Sequence, residues 1–295
     1  GDVPRSLPKA LAELGHDVRV VLPAYKNIEE GYPGVESMEG QLDVHTGYGT
    51  IPCGVFQSTL PGSDVPIYFI AEWHLFKRDE IYGYWDDAYR FAFLSLAAME
   101  LTKMLDWKPD VLHAHDWHTA PAVTWLSTAG QTDEWFQGVA SVFTIHNLAH
   151  QGETDWQILD YMGIQTHSLA EEAYGEVNFM ARGIYHATMV NTVSPSYARE
   201  ILTLEGGAGL DGLLRHRSYD VHGILNGIDY ERWDPATDSR LPHHFDVDNI
   251  DERLKNRRAL QEYANLPVKD NIPLVAMVSR LDWQKGLDFM GHAIN

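Results

Sequence analysis

The stretch Asp2-Val3-Pro4-Arg5-Ser6-Leu7-Pro8-Lys9-Ala10-Leu11-Ala12-Glu13-Leu14-Gly15-His16-Asp17-Val18-Arg19-Val20-Val21-Leu22-Pro23 reads as a helix followed by a strand. Asp2 suits an N-cap, and Pro4 suits the first helical turn, where a missing N–H breaks no bond. Leu7, Ala10, Leu11 and Leu14 recur at helical spacing, and Gly15 suits the helix end. Val18, Val20, Val21 and Leu22 then make Asp17–Pro23 a strand. A doubly wound α/β sheet normally opens with a strand that feeds such a helix. A first strand and its loop are therefore expected upstream of Gly1.

The same alternation continues downstream. Strands are predicted over Ile51–Phe56, Pro66–Ala71, Asp110–His115, Val139–Ile145, Thr188–Val193 and Val221–Leu225. Helices are predicted over Asp87–Met104, Ala120–Ser127, Asp155–Tyr161, Val177–His186 and Pro195–Leu202. Strands this apolar suit a sheet covered on both faces. The composition shifts around Leu241–Asp248, where Pro242, His243 and His244 cluster. Beyond it come a helix (Asp251–Tyr263), an apolar run expected to be a buried parallel strand (Ile272–Val278) and a helix from Gly286 to Ile294. Some ~50 residues cannot make a self-sufficient core. The expected organisation is a near-complete first domain over 1–242 and the first βα unit of a second over 243–295.

Bulk chemistry excludes some partners. With 22 basic against 42 acidic residues the net charge is −20, which repels nucleic acid and anionic membrane. A neutral polysaccharide meets no such barrier. Cys53 is the single cysteine, so an intrachain disulfide is impossible. No apolar run reaches the ~18 residues of a membrane span.

In open α/β sheets ligands bind beyond the carboxyl ends of the strands, and four strand exits carry polar chemistry. Val111-Leu112 runs into His113-Ala114-His115-Asp116-Trp117-His118. One reading is a metal site on His113, His115 and His118, the basis of a metal-dependent hydrolase. Another gives sugar hydroxyls to Asp116 and a flat surface to Trp117 or His118, with His113 and His115 only organising the exit. Phe143-Thr144-Ile145 ends in His146-Asn147, with Gly152 closing the loop. Ile224-Leu225 ends in Asn226-Gly227, either a turn or an amide aimed at a ligand. Val278-Ser279-Arg280-Leu281-Asp282-Trp283-Gln284-Lys285-Gly286 places two cations between a predicted strand and a helix start, a recipe for gripping phosphate. Gly207-Ala208-Gly209-Leu210-Asp211-Gly212 fits a dinucleotide fingerprint by letter but follows a helix, so it reads as a flexible loop, not an NAD site.

Taken in order, Gly1-Asp2-Val3, Gly15-His16-Asp17-Val18, His113–His118, Thr144–Gly152, Leu225-Asn226-Gly227-Ile228-Asp229 and Ser279–Gly286 resemble the bacterial glycogen synthase and plant starch synthase family across essentially the whole chain. The resemblance implies a GT-B glycosyltransferase: a doubly wound Rossmann-like first domain and the first βα unit of a second. It implies retaining transfer of glucose from ADP-glucose to the non-reducing end of an α-1,4-glucan, with no cofactor and no metal. Arg280 and Lys285 would bind the nucleotide diphosphate, and Gly1 and Asp2 would also bind the donor nucleotide. Asn226 would contact the donor sugar. His146 and Asn147 would lie by the transferred glucose, and Asp116 would contact sugar hydroxyls. Tyr82, Trp117 and His118 would face the acceptor. The expected location is cytoplasmic, or the plastid stroma in a plant or alga.

Three departures are visible. The family's Lys-x-Gly-Gly-Leu loop before Gly-Asp-Val and the carboxylate motif of its second domain are absent, so this chain alone is expected to be inactive. The segment Glu72–Asp86 lacks the acidic-Pro run of many members. The alternatives are a GT-B enzyme using a UDP-sugar, the metal-dependent hydrolase, and a non-catalytic glucan-binding module.

Overall fold

The structure is a computed structural model and describes residues 2–26, 28, 32, 34–164, 176–281 and 285–293. It forms two compact units, Gly1–Asn226 and Gly227–Asn295.

The first unit opens with α1 (Asp2–Glu13), as the apolar spacing predicts, and β1 (Val20–Pro23) follows. Next come β2 (Glu36–Ser37), β3 (Leu42–Thr46), β4 (Gly49–Thr59) and β5 (Pro66–Ala71). β1 pairs parallel with β5, and β4 runs antiparallel to β5, β3 and β2. Within the antiparallel part, β4 contains the predicted Ile51–Phe56 and β5 matches Pro66–Ala71, but β3 was illegible to a search for apolar runs because it alternates: Leu42 and Val44 are buried, Asp43 and His45 exposed. β5 shows why an apolar run suits a covered strand. Tyr68 and Ile70 enter the main core, while Ile67, Phe69 and Ala71 enter a second, smaller one.

The short helix α2 (Trp73–Phe76) and the long α3 (Asp87–Met104) follow. α3 is apolar nearly all round and correspondingly buried, from Phe91 through Leu101. β6 (Val111–His115), α4 (Ala120–Ser127), β7 (Ala140–Ile145), β8 (Glu153–Asp155) and α5 (Gln157–Tyr161) come next. Then come β9 (Glu176–Asn178), α6 (Phe179–His186), β10 (Met189–Thr192), α7 (Pro195–Glu200), α8 (Asp211–His216) and β11 (Val221–Gly223). The residues expected to open two helices, Asp155 and Val177, instead lie in the small antiparallel β8–β9 ribbon, opposite Glu176 and Thr154. The Asn178 side chain accepts from the Ala181 N–H at 2.9 Å, and this cap starts α6 at Phe179, two residues later than expected.

The second sheet is wholly parallel, in the order β11-β10-β7-β6. α6 packs closely on it: a Cβ added at Gly183 would sit 2.6 Å from the Phe143 ring. The opposite face is less covered than the apolar strands predicted, for Val111 and Met189 are largely exposed. Because all four strands run the same way, the exits after His115, Ile145, Thr192 and Gly223 lie along one edge.

The second unit contains α9 (Arg253–Tyr263) and α10 (Leu287–Ala293). Arg257 and Arg258 both bind Asp270, at 3.2 and 2.5 Å. The run Ile272–Val278 is not a strand, which corrects the sequence expectation. Val275 is 80% and Val278 100% exposed. A strand is completed by ladder partners, and among the described residues of this unit there is no strand to supply them. Among the described residues, no helix is long and apolar enough to cross a membrane.

Candidate active site

The site grows from the junction of β6 and β7. Their parallel register sets His115 beside Thr144 and leaves Asp116 and His146 as the next residues out. Asp116 donates its N–H to the Thr144 carbonyl at 2.9 Å, extending the ladder by one bond. It then turns the chain with φ +56°, a left-handed conformation that Asp tolerates better than most residues. Its Oδ1 accepts the N–H of His146 at 2.7 Å and that of Asn147 at 3.3 Å. The carboxylate thus holds the neighbouring strand exit by its main chain. Burial pushes the Asp116 carboxyl above its ordinary value, and those two N–H groups and the His146 imidazole oppose the rise.

The rest of the β7 exit is equally tied. Asn147 Oδ1 accepts the Ala149 N–H at 3.1 Å, and the Tyr197 hydroxyl accepts the Leu148 N–H at 3.2 Å. Gln151 Nε2 donates to the Ala208 carbonyl at 2.9 Å, and its Oε1 accepts from Asn178 Nδ2 at 2.6 Å. Residues 207–212, expected to be a flexible loop, are therefore pinned to this exit. The stretch also packs closely on itself, since a Cβ at Gly207 would lie 2.4 Å from that of Asp211. Gly152 (φ +66°) lies under the Trp117 ring, where a Cβ would come within 2.2 Å.

A row of polar side chains shares one face of the second sheet. His113 and His115 stack with centroids 4.3 Å apart. Thr144 pairs in register with both His115 and Asn191. Thr144 Oγ1 donates to Asn191 Oδ1 at 2.6 Å and lies 2.7 Å from His113 Nε2, which therefore donates to it. His115 Nδ1 is 3.0 Å from His146 Nε2. Burial, reinforced by the neighbouring His113 and His146, pushes His115 down to about 3 and keeps it neutral.

The three residues expected to face an acceptor gather together. His118 stacks on Trp117 at 4.2 Å, meets Phe91 edge-on at 4.7 Å and lies 6.0 Å from the exposed Tyr82 ring. Burial pushes His118 down to about 4. The loop bearing Tyr82 is anchored from below, since Asp87 Oδ2 accepts the N–H of Gly83 and, at 3.1 Å, that of Tyr84. Asp87 Oδ1 binds the fully buried Arg90, whose Nε donates to the Leu75 carbonyl at 2.6 Å. Arg78 adds a two-pronged pair with Asp86 at 2.7 and 2.6 Å.

This geometry separates His118 from His113 and His115, so the three do not form the metal cluster that one sequence reading proposed. Among the described residues, no group of three or more His, Cys, Asp and Glu side chains is placed to hold a metal ion. The other predicted residues lie elsewhere. Asn226 is exposed beyond β11, two strands across from β7, or about 10 Å at ordinary strand spacing. Asp2 opens α1, and Gly1 lies outside the described residues. Arg280 and Lys285 are exposed in the second unit, Lys285 just before α10; Asp282, Trp283 and Gln284 lie outside the described residues. Sequence reasoning passed over Thr144, Asn191, Asp87 and Arg90. For Thr144 the available signal was its place directly before Ile145-His146.

Residues 1–216 match the family model described as "Starch synthase catalytic domain". The chain belongs to the starch synthase catalytic domain family. It is 44% identical over 303 residues to glycogen synthase 1 of Geobacter metallireducens, covering all of this chain and 60% of that protein. It is 42% identical over 301 residues to the glycogen synthase of Moorella thermoacetica, again covering all of this chain and 60% of the relative. Among solved structures it resembles the catalytic domain of starch synthase IV from Arabidopsis thaliana bound to ADP and acarbose. That match has a TM-score of 0.86 and 32% identity, over all of this chain and 62% of the other. The chain thus spans about 60% of the length of the relatives it matches. Like that structure, this member of the starch synthase family has the GT-B type of fold, and its sequence expectation of a doubly wound α/β architecture agrees.

Proposed function

We propose that the full-length protein transfers glucose from ADP-glucose to the non-reducing end of an α-1,4-glucan, with retention at the anomeric carbon. Residues 1–242 form the acceptor-side domain in this reading, and 243–295 open the nucleotide-sugar-binding domain. One observation carries it. The Asp116 carboxylate joins the exits of β6 and β7 by accepting the N–H groups of His146 and Asn147, at 2.7 and 3.3 Å. This sets polar side chains at a sheet edge beside the aromatic cluster of Trp117, His118 and Tyr82.

The roles follow from the chemistry. Negative charge grows on the departing diphosphate, and Arg280 and Lys285 supply positive charge for it. Gly1 and Asp2 are further donor-binding candidates. Asn226 binds the donor sugar. The acceptor hydroxyl approaches the face that the diphosphate leaves, through an oxocarbenium-like state, with no carboxylate nucleophile. Asp116 suits a holding role, because Oδ1 is already taken by two main-chain donors and Oδ2 remains for a sugar hydroxyl. His146 and Asn147 flank the transferred glucose, and Tyr82, Trp117 and His118 receive the acceptor rings. ADP is the favoured nucleotide because the similar starch synthase IV structure holds ADP. The reaction belongs where nucleotide sugar and glucan meet, the bacterial cytoplasm or the plastid stroma.

The test is incubation of the full-length protein with ADP-glucose labelled in the sugar, with a maltooligosaccharide as acceptor. The expected result is label in a longer glucan, with Asp116→Ala lowering kcat/KM about 100-fold or more. Preferred use of UDP-glucose would change the donor. Glucan binding without any label transfer would reduce the protein to a binding module.

A further inference from the structure

We infer that His115 is a positioning residue whose Nδ1 holds Nε2 of His146, fixing the tautomer and orientation of that ring and leaving its Nδ1 edge to meet a sugar hydroxyl. The inference rests on the proposed place of His146 beside the transferred glucose.

The support is geometric. His146 is gripped twice by adjacent residues: Asp116 takes its main-chain N–H at 2.7 Å, and His115 meets its ring at 3.0 Å. Two imidazoles joined by one hydrogen bond must divide the roles, one ring nitrogen donating and the other accepting. With Nε2 engaged, only Nδ1 of His146 remains for a ligand.

His115 is itself held on all sides. Its main-chain N–H donates to Thr119 Oγ1, which returns a bond to the His115 carbonyl at 2.9 Å. On its far face it stacks on His113, which donates to Thr144, which donates to Asn191. That series fixes His113 as the Nε2–H tautomer and braces the His115 ring plane. Burial keeps His115 uncharged, so the contact carries no repulsion between two imidazolium ions. This is how an outer shell of side chains orients a working imidazole.

The 295-residue chain serves for the first measurement. Long-range proton–nitrogen NMR of the histidine rings is expected to show a single tautomer for His146, with coupling across the bond between His115 Nδ1 and His146 Nε2. His115→Leu removes the partner and should return His146 to a mixture of tautomers. His115→Asn places an amide atom where Nδ1 was and should restore a single tautomer. Absence of the coupling in the unmodified chain, or a His146 spectrum unchanged by His115→Leu, overturns the inference; the first needs no variant to fold.

In the full-length protein, His115→Leu should lower kcat about tenfold with little change in donor KM, and His115→Asn should recover most of it. A tautomer shift in the Leu variant without any fall in kcat overturns the role in the reaction. Failure of the unmodified protein to transfer glucose at all sinks the proposed function, whatever the rings show.

Discussion

Residues 139–147 and 272–285 look alike as sequence, an apolar run that ends in polar side chains, yet they differ in the folded chain. The first run becomes β7, lies between β6 and β10, and delivers His146 and Asn147 to a carboxylate that holds them. The second forms no strand, leaves Val278 wholly exposed, and sets Arg280 and Lys285 on the surface. A polar strand tip becomes a site only where neighbouring strands fix its height and direction. The apolar run supplies the tendency, and the flanking ladder supplies the coordinates.

The largest expected effect breaks the better-held region. Phe143 is fully buried against Gly183, so Phe143→Ala should cost about 3–5 kcal/mol in urea unfolding. Val275→Ala should stay within about 0.5 kcal/mol, because its side chain is already in solvent. Equal losses at the two positions would dissolve the contrast.

The next effect sharpens it at the polar tips. Asp116→Ala strands two N–H groups of the β7 exit and should cost about 1–3 kcal/mol. Asp116→Asn keeps an acceptor and tolerates the left-handed backbone, so it should lose less than half of that. Lys285→Ala should change stability by no more than about 0.5 kcal/mol. The same urea series reads all three.

Acid gives the smallest effect per residue. His118 is pushed down to about 4 by burial, below the 6.5 of an exposed histidine. The unfolded chain therefore takes up its proton first as pH falls. Stability is full above 6.5 and declines between 6.5 and about 4. From pH 7 to 5.5 His118 should cost on the order of 1 kcal/mol, and His118→Phe should flatten the pH profile by that amount. An unchanged slope would mean that His118 is solvated.

Much of the fold was legible because the signals were local. Pro66–Ala71, Asp87–Met104 and Ala120–Ser127 occupy the spans that their apolar pattern predicts. Ile51–Phe56 also falls inside the longer β4, but its hairpin partner β3 was not legible, since half of that alternating strand is polar. Of the site, Asp116, His146 and Asn147 stood out as polar residues at strand exits, and they meet. His113 and His115 read as mere organisers of a loop. Their stacking, and the contact from His115 to His146, depend on the register of β6 against β7, which lies outside either strand's own sequence.

Periodicity, caps and composition belong to short windows of chain, so the sequence by itself determined the α/β alternation, the polar strand exits and the family. Which exits adjoin, which imidazole nitrogen is engaged, and whether an apolar run becomes a strand depend on partners that are distant in the chain. Only the tertiary structure decided these: it joined Asp116 to His146 and parted His118 from His113 and His115. The reason is physical. Hydrogen-bonded ladders and side-chain contacts are pairwise, and a single segment carries only its half of each pair.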